Sequence, residues 1–270
     1  MNLNGDLNYE KKALKALLGS DDIIFFDFET GGNQALCVYV DSITDKETLG
    51  LEVIAPLSKN EDDNSVSSLA KKINLANVKT ETELSKIVDN VLSGHAVILV
   101  DGKKKAICVD LKKFEVRAIS EPPTGLAVRG PRNGFTESIK SNLSLIRRYL
   151  RSSDLKVEMF EKGKYTKTAI AFMYIDGIAP RQLIEKVRKK IEAINVDGIP
   201  DSSYVSKLLN ERKTSLFKQV GSTERPDVLI ERMLEGRVGV IVDGSPFCLS
   251  LPYLLIEDFQ AAEDYYISPY

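Results

Sequence analysis

The residues best suited to chemistry lie mid-chain. Arg129-Gly130-Pro131-Arg132 sets two guanidiniums around a rigid Gly-Pro pair, with Glu137 a little further on. Arginine presents a planar fork of donors that matches a carboxylate or a phosphate, so one reading is an anion site. In the other, the arginines pair with Glu137 or with the opposite half of the chain and lock an angle between domains. Ion pairs of that kind perturb charge without marking a site, and this structural reading is preferred. Catalytic groupings are scarce. The one histidine, His95, sits between Gly94 and an apolar run, a surface or strand-edge position, and cannot form a metal-binding pair. Cys37, Cys108 and Cys248 lack C-x-x-C spacing, and each lies inside an apolar run. They read as buried thiols in a reducing compartment, not as a zinc site. No G-x-S-x-G, G-x-G-x-x-G or P-loop occurs. Asp101 and Asp243 look like turn residues, and Asp41 and Asp176 like strand ends. The expectation is no enzyme, no metal and no cofactor.

The elements that must position these residues come in two related sets. Residues 222–252 suggest a helix with Ser222 as cap and Pro226 in its first turn. Gly236 ends it, 238–242 is a buried strand, Asp243-Gly244 is a hairpin turn and 247–251 returns. Residues 80–111 carry the same pattern: Thr80 with Glu83 as a capping box, an apolar helix face, Gly94, a strand at 96–100, then Asp101-Gly102. The interval from Thr80 to Ser222 is the same as that from Gly94 to Gly236 and from Asp101 to Asp243. Helix–glycine–hairpin units are common enough to converge, but an unbroken register points to a duplicated unit.

Around these, the chain reads as hairpins and amphipathic helices in the same order twice. An opening helix has Asn8 as cap, Tyr9, Ala13, Leu14, Leu17 and Leu18 as its apolar face and Gly19 as stop. Strands flank Thr30-Gly31-Gly32-Asn33 and later Gly163, and Asp41-Ser42-Ile43 is answered by Asp176-Gly177-Ile178 in the second half. Residues 114–119 suggest a further strand and 257–266 the start of a helix. Residues 121–135, rich in Pro and Gly, break all periodicity and read as a linker. The helix after it has Thr136 as cap and Ile139, Leu143, Ile146 and Leu150 as its apolar stripe, with Arg147 and Arg148 solvated near its end. The expected fold is mixed α+β: two related subdomains, 1–120 and 153–270, each a mostly antiparallel sheet with packed helices, joined by a linker and helix at 121–152. With 43% hydrophobic and 28% charged residues and a net charge of −2, nothing drives nucleic-acid binding. No stretch is long and apolar enough to span a bilayer, and no secretory signal is visible.

Longer motifs then carry a resemblance. Arg129-Gly130-Pro131, Gly134-Phe135, Glu137, Asn142 and Ile146-Arg147-Arg148 match a segment of the GerA-type A subunits of spore germinant receptors. So do Tyr174-Ile175-Asp176-Gly177-Ile178, Thr223-Glu224-Arg225-Pro226, Leu234-Glu235-Gly236-Arg237 and Val242-Asp243-Gly244. The resemblance covers about residues 35–270. It implies the hydrophilic N-terminal domain of a subunit that continues into a multi-span membrane domain, on the core side of the spore inner membrane. Its implied partners are an integral-membrane B subunit and a lipoprotein C subunit. The implied role is signal transduction and assembly during nutrient germination. The alternative is a binding module that holds a small-molecule germinant between the two subdomains. Arg129, Arg132, Glu137, Asn142, Arg147 and Arg148 are the candidate ligand or interface residues.

Overall fold

A computed structural model describes residues 2–60, 65–113, 131, 133–210 and 218–258. The linker, including Arg129 and Arg132, the strand expected at 114–119 and most of the helix expected at 257–266 lie outside these residues. The chain divides into two compact units. The first holds the described residues up to 113 with Arg151–Ser153; the second holds those from 131 to Leu150 and from Asp154 on.

The first unit runs α1 (Leu7–Leu18), β1 (Ile23–Thr30), β2 (Asn33–Val40), α2 (Lys46–Thr48), a π-helical turn (Leu49–Ile54), α3 (Ala55–Ser58), α4 (Val66–Lys72), β3 (Val78–Glu81), α5 (Leu84–Leu92), β4 (His95–Val100) and β5 (Ala106–Asp110). The second runs α6 (Ile139–Tyr149), β6 (Leu155–Lys162), β7 (Thr168–Ile175), α7 (Arg181–Glu192), α8 (Ser202–Leu209), β8 (Gly221–Thr223), α9 (Pro226–Leu234), β9 (Val238–Val242), β10 (Cys248–Leu251) and a 3-10 turn (Leu255–Asp258). The sheets have one topology, β1-β2-β4-β5-β3 and β6-β7-β9-β10-β8, and every described pairing is antiparallel.

The strand sequences explain the layering. Successive side chains leave a strand on opposite faces. In β4, Val97 and Leu99 join a core with α1 and α5, while Ala96, Ile98 and Val100 join another with α3 and α4. In the second unit, Ile241 faces α6 and α9, and Val238, Val240 and Val242 face α7 and α8. Each sheet is covered on both faces, so its central strands read as unbroken apolar runs rather than alternations. The three cysteines are buried, Cys37 and Cys108 with thiols pushed up to about 12 by burial. As protonated, inert thiols they act as small apolar side chains.

Gly94 and Gly236 end α5 and α9 at φ +89 and +92, in the left-handed region where a Cβ would clash. At the hairpins only the glycine of each Asp-Gly pair takes positive φ, and the connections are longer than a two-residue turn. The expected capping roles of Thr80 and Ser222 do not hold. Both lie on edge strands, where Thr80 pairs with Ile107 and Ser222 with Leu249. The constant register between the halves persists, but a short strand precedes each helix. α5 and α9 instead begin after Glu83 and Arg225, neither of which makes a side-chain cap bond.

Candidate functional site

α6 places two of the candidate residues in the interior. Asn142 is 0% exposed and Arg147 1%. Asn142 Oδ1 accepts from the Thr136 N–H at 2.7 Å and from the Thr136 hydroxyl at 3.3 Å, and its Nδ2 donates to the Thr136 carbonyl at 2.6 Å. One side chain thus closes the loop that enters the helix. Thr136 is the clasped residue rather than the cap; the cap is Ser138, whose hydroxyl accepts from the Ser141 N–H. Glu137 is exposed and precedes the cap, and its carbonyl accepts from the Gly244 N–H at 2.8 Å. Arg148 is exposed. Arg147, expected on the wet side, is buried because α6 packs on the sheet with one face and beside α9 with another, which leaves little of it to solvent.

The turn aspartates do more than turn the chain. Asp243 Oδ1 accepts from the Ile139 N–H at 3.1 Å, at the start of α6, and Asp101 Oδ1 accepts from the Leu7 N–H at 3.2 Å, at the start of α1. A carboxylate there satisfies an orphan donor and suits the helix dipole. α1 is capped by Asp6, not Asn8, because the helix starts earlier than its apolar pattern suggests. With Leu7 aligned on Ile139, Glu10 falls at the position equivalent to Asn142. It is 2% exposed, and its Oε1 accepts from the Asn4 and Gly5 N–H groups at 3.0 Å each. Both units therefore use a buried polar side chain one turn into the first helix to tie down the loop before it.

The two solutions differ in charge, which gives a test. Burial raises the pKa of Glu10 above 4.5, opposed by the two backbone donors and reinforced by Asp6 and Asp101. A folded-state pKa above the unfolded one means that this group's contribution is complete below the ordinary carboxylate range and is lost as pH rises through the folded value. Glu10→Gln keeps the acceptor and removes the titration. Urea unfolding at a series of pH values should show wild type losing stability relative to Glu10→Gln as pH rises above 4.5. Parallel curves would contradict this assignment.

The sequence reading missed a second cluster around α9. Arg225 and Asp227 form a buried two-point pair, Nε to Oδ1 at 3.1 Å and Nη2 to Oδ2 at 2.6 Å. Glu257, in the last described turn, lies between two arginines: Arg232 Nη2 to Oε2 at 2.5 Å and Arg237 Nη1 to Oε1 at 2.5 Å. Its Oε1 also accepts from the Leu254 N–H at 2.9 Å. Arg232 Nη1 donates to the Ser250 hydroxyl at 2.9 Å, and Arg237 Nη2 pairs with Glu235 at 2.6 Å. Arg232, Arg237 and Glu257, the members of this clamp, are all buried. Arg232 among the apolar residues of α9, and Arg237 just ahead of the apolar run of β9, were the available signal. Their shared partner, on the far side of the β9–β10 hairpin, was not.

A cleft of about 440 Å³ lies beside α8, with Val220, Phe247 and Leu249 as its apolar part and Ser203, Ser206, Lys207 and Ser222 as polar lining. His95, at the start of β4 opposite Asp110, is half-buried, and burial lowers its pKa, so the imidazole is neutral at pH 7. Among the described residues no group of His, Cys, Asp and Glu could hold a metal ion.

The profile of the Bacillus/Clostridium GerA spore germination proteins matches residues 10–270. The chain belongs to this GerA family. It is 36% identical over 259 residues to spore germination protein KA of Bacillus subtilis (strain 168), covering 93% of this chain and 48% of that protein. It is 32% identical over 271 residues to spore germination protein B1 of the same organism, covering 98% and 56%. The chain thus spans about half the length of these curated relatives. Among solved structures, it matches the N-terminal domain of the A subunit of the Bacillus megaterium spore germinant receptor GerK3. The TM-score is 0.73 at 29% identity, over 95% of this chain and 98% of that one. The motifs that carried the GerA resemblance thus include the clasp of Asn142, Arg225 of the buried pair and Arg237 of the clamp.

Proposed function

We propose that this chain is the N-terminal, extramembrane part of a germinant-receptor A subunit, acting without catalysis in signal transduction and receptor assembly. The observation that carries the reading is the likeness to the GerK3 A-subunit domain over nearly the whole of both chains. The relatives' greater length supports a following membrane part. The three buried thiols accord with placement on the reducing, core side of the spore inner membrane. An integral-membrane B subunit and a lipoprotein C subunit are the proposed partners. Affinity purification of the tagged full-length protein from spore membranes should recover both, and spores lacking the gene should germinate more slowly with at least one nutrient. Normal germination with every nutrient, together with no co-purified subunit, would overturn the reading.

The cleft beside α8 supports a second reading, direct binding of a small molecule. Ligand pockets combine an apolar lining with a few polar groups in this way. Titration calorimetry with amino-acid and sugar germinants should then give heat that Phe247→Ala abolishes. No heat at millimolar ligand would remove this reading.

A further inference from the structure

Two copies of one fold can be compared position by position, and they differ at one end. In the first unit the chain leaving β5 continues extended past the turn after β2. The Asp45 N–H donates to the Leu111 carbonyl at 2.9 Å, the Lys113 N–H donates to the Ile43 carbonyl at 2.9 Å, and Thr44 bridges Lys112. At this closed end Ile43 is 2% exposed and Leu92, the last residue of α5, 3%. Their counterparts in the second unit, Ile178 and Leu234, are 47% and 49% exposed.

The cause is a single residue type. Asp110 ends β5 by donating its N–H to the Asn77 carbonyl at 3.2 Å. The equivalent residue after β10 is Pro252, which has no N–H. The donation passes to Tyr253, whose N–H reaches the Gln219 carbonyl at 3.0 Å; Gln219 answers Asn77 in the same register that relates Ser222 to Thr80. The chain is therefore one residue out of step and does not take the path of Leu111–Lys113. The uncovered side chains flank one spot, since a Cβ on Gly236, just past Leu234, would lie 3.3 Å from the Ile178 carbonyl oxygen.

We infer that this open end, around Ile178 and Leu234, is a docking surface for an extended apolar-and-basic segment of the same polypeptide, from the part that follows residue 270 in the full-length protein. The form of the occupant comes from the first unit, where Leu111-Lys112-Lys113 runs past this end: a Cβ on Gly94 would meet the Lys112 stem at 2.8 Å and Ile43 at 3.3 Å, Lys113 Nζ lies 3.0 Å from Asp45, and Leu111 turns to the core on the other face of the sheet. The open end carries acids near its apolar residues: Asp176 two positions before Ile178 and Glu231 three before Leu234, with Glu235, already paired with Arg237, just after it. That rim suits a lysine or arginine whose aliphatic stem lies over the apolar pair. Pro180 stands where Asp45 donates, so the Ile178 carbonyl is the backbone acceptor that remains, and side-chain burial must supply most of the contact. The source follows from tethering. Glu257 is held by Arg237, on the residue that follows Gly236, so the last described turn lies at this end, and the relatives are about twice as long as this chain. A segment joined by a short linker has an effective concentration of about millimolar, well above that of a separate chain.

The inference rests on the reading of this chain as the front part of a longer A subunit. The test places p-benzoylphenylalanine at position 234 of the full-length protein in membranes, followed by irradiation and peptide mapping. The expected product is an intrachain adduct to an apolar-and-basic peptide beyond residue 270. No adduct, or adducts only to lipid or to another chain, would overturn the inference. Leu234→Lys supplies a second readout: it should lower the thermal midpoint of the full-length protein and leave that of residues 1–270 unchanged. An equal effect in both would also overturn it. The intact mass of the gene product separates the two levels. A product ending at Tyr270 removes the proposed function and this inference with it, whereas a long product without the adduct removes the inference alone.

Discussion

Glu257→Ala should unfold the second unit far more readily than its place in a terminal turn suggests. The substitution leaves the guanidiniums of Arg232 and Arg237 buried without the carboxylate that both now share. Removing one partner of a buried ion pair costs about 3–5 kcal/mol, because the remaining charge keeps its desolvation penalty. In a unit of this size that corresponds to a fall in thermal midpoint on the order of 10–20 °C. Arg237 retains Glu235, whose side chain is 48% exposed, and an exposed carboxylate offsets at most about 1 kcal/mol. Glu235→Ala alone should accordingly change stability by less than about 1 kcal/mol. A triple change of Arg232 and Arg237 to Met and Glu257 to Leu should recover much of the loss, since apolar replacement of a whole buried cluster is often neutral or better. If calorimetry finds Glu257→Ala within about 1 kcal/mol of wild type, the clamp does not hold the terminal turn.

The contrast between that clamp and the sheets shows what a sequence can disclose. Strand patterning and positive-φ glycines act between near neighbours in the chain. Val238–Val242, the Gly31-Gly32 turn and the duplicated order were therefore open to reading, and so was the constant register between the halves. Caps were less open. Thr80 and Ser222 are good capping types, yet each lies on an edge strand beside β5 or β10, because a neighbouring strand competes for the same backbone groups. The opening helix failed differently: Tyr9 and Leu17, expected inside, are 45% and 44% exposed, and Glu10 takes the buried position. A buried carboxylate leaves no periodic trace. Of the candidate residues, the resemblance singles out Asn142 and Arg147, which lie buried, while residue type alone ranked Arg147 as surface. Glu257 escaped both, since its meeting with two arginines from earlier in the chain depends on how β9, β10 and the terminal turn come together.

Asn142→Ala is the second large effect expected, and its chemistry can be separated from simple loss of volume. The side chain satisfies both the N–H and the carbonyl of Thr136 from a fully buried position. Alanine leaves both backbone groups without that partner. Each unsatisfied buried group costs about 1–3 kcal/mol, and Thr136 is only partly buried, so water recovers some of this and the expected loss is about 2–3 kcal/mol. Hydrogen exchange should then rise at 133–138 before the rest of the unit, because Phe135 and Thr136 lead the chain into α6. Asn142→Asp sharpens the argument. Its Oδ1 still accepts from Thr136, but an ionised carboxylate turns a second oxygen toward the Thr136 carbonyl where an N–H used to donate. That raises the carboxyl's pKa in the folded state, so its protonated form, which can donate to the carbonyl, restores stability as pH falls below the folded value. Asn142→Ala should show no such recovery relative to wild type. The two variants tracking each other at every pH would mean that Asn142 fills space, and that the loop entering α6 is held by Asp243 and the Phe135–Glu224 backbone bond instead.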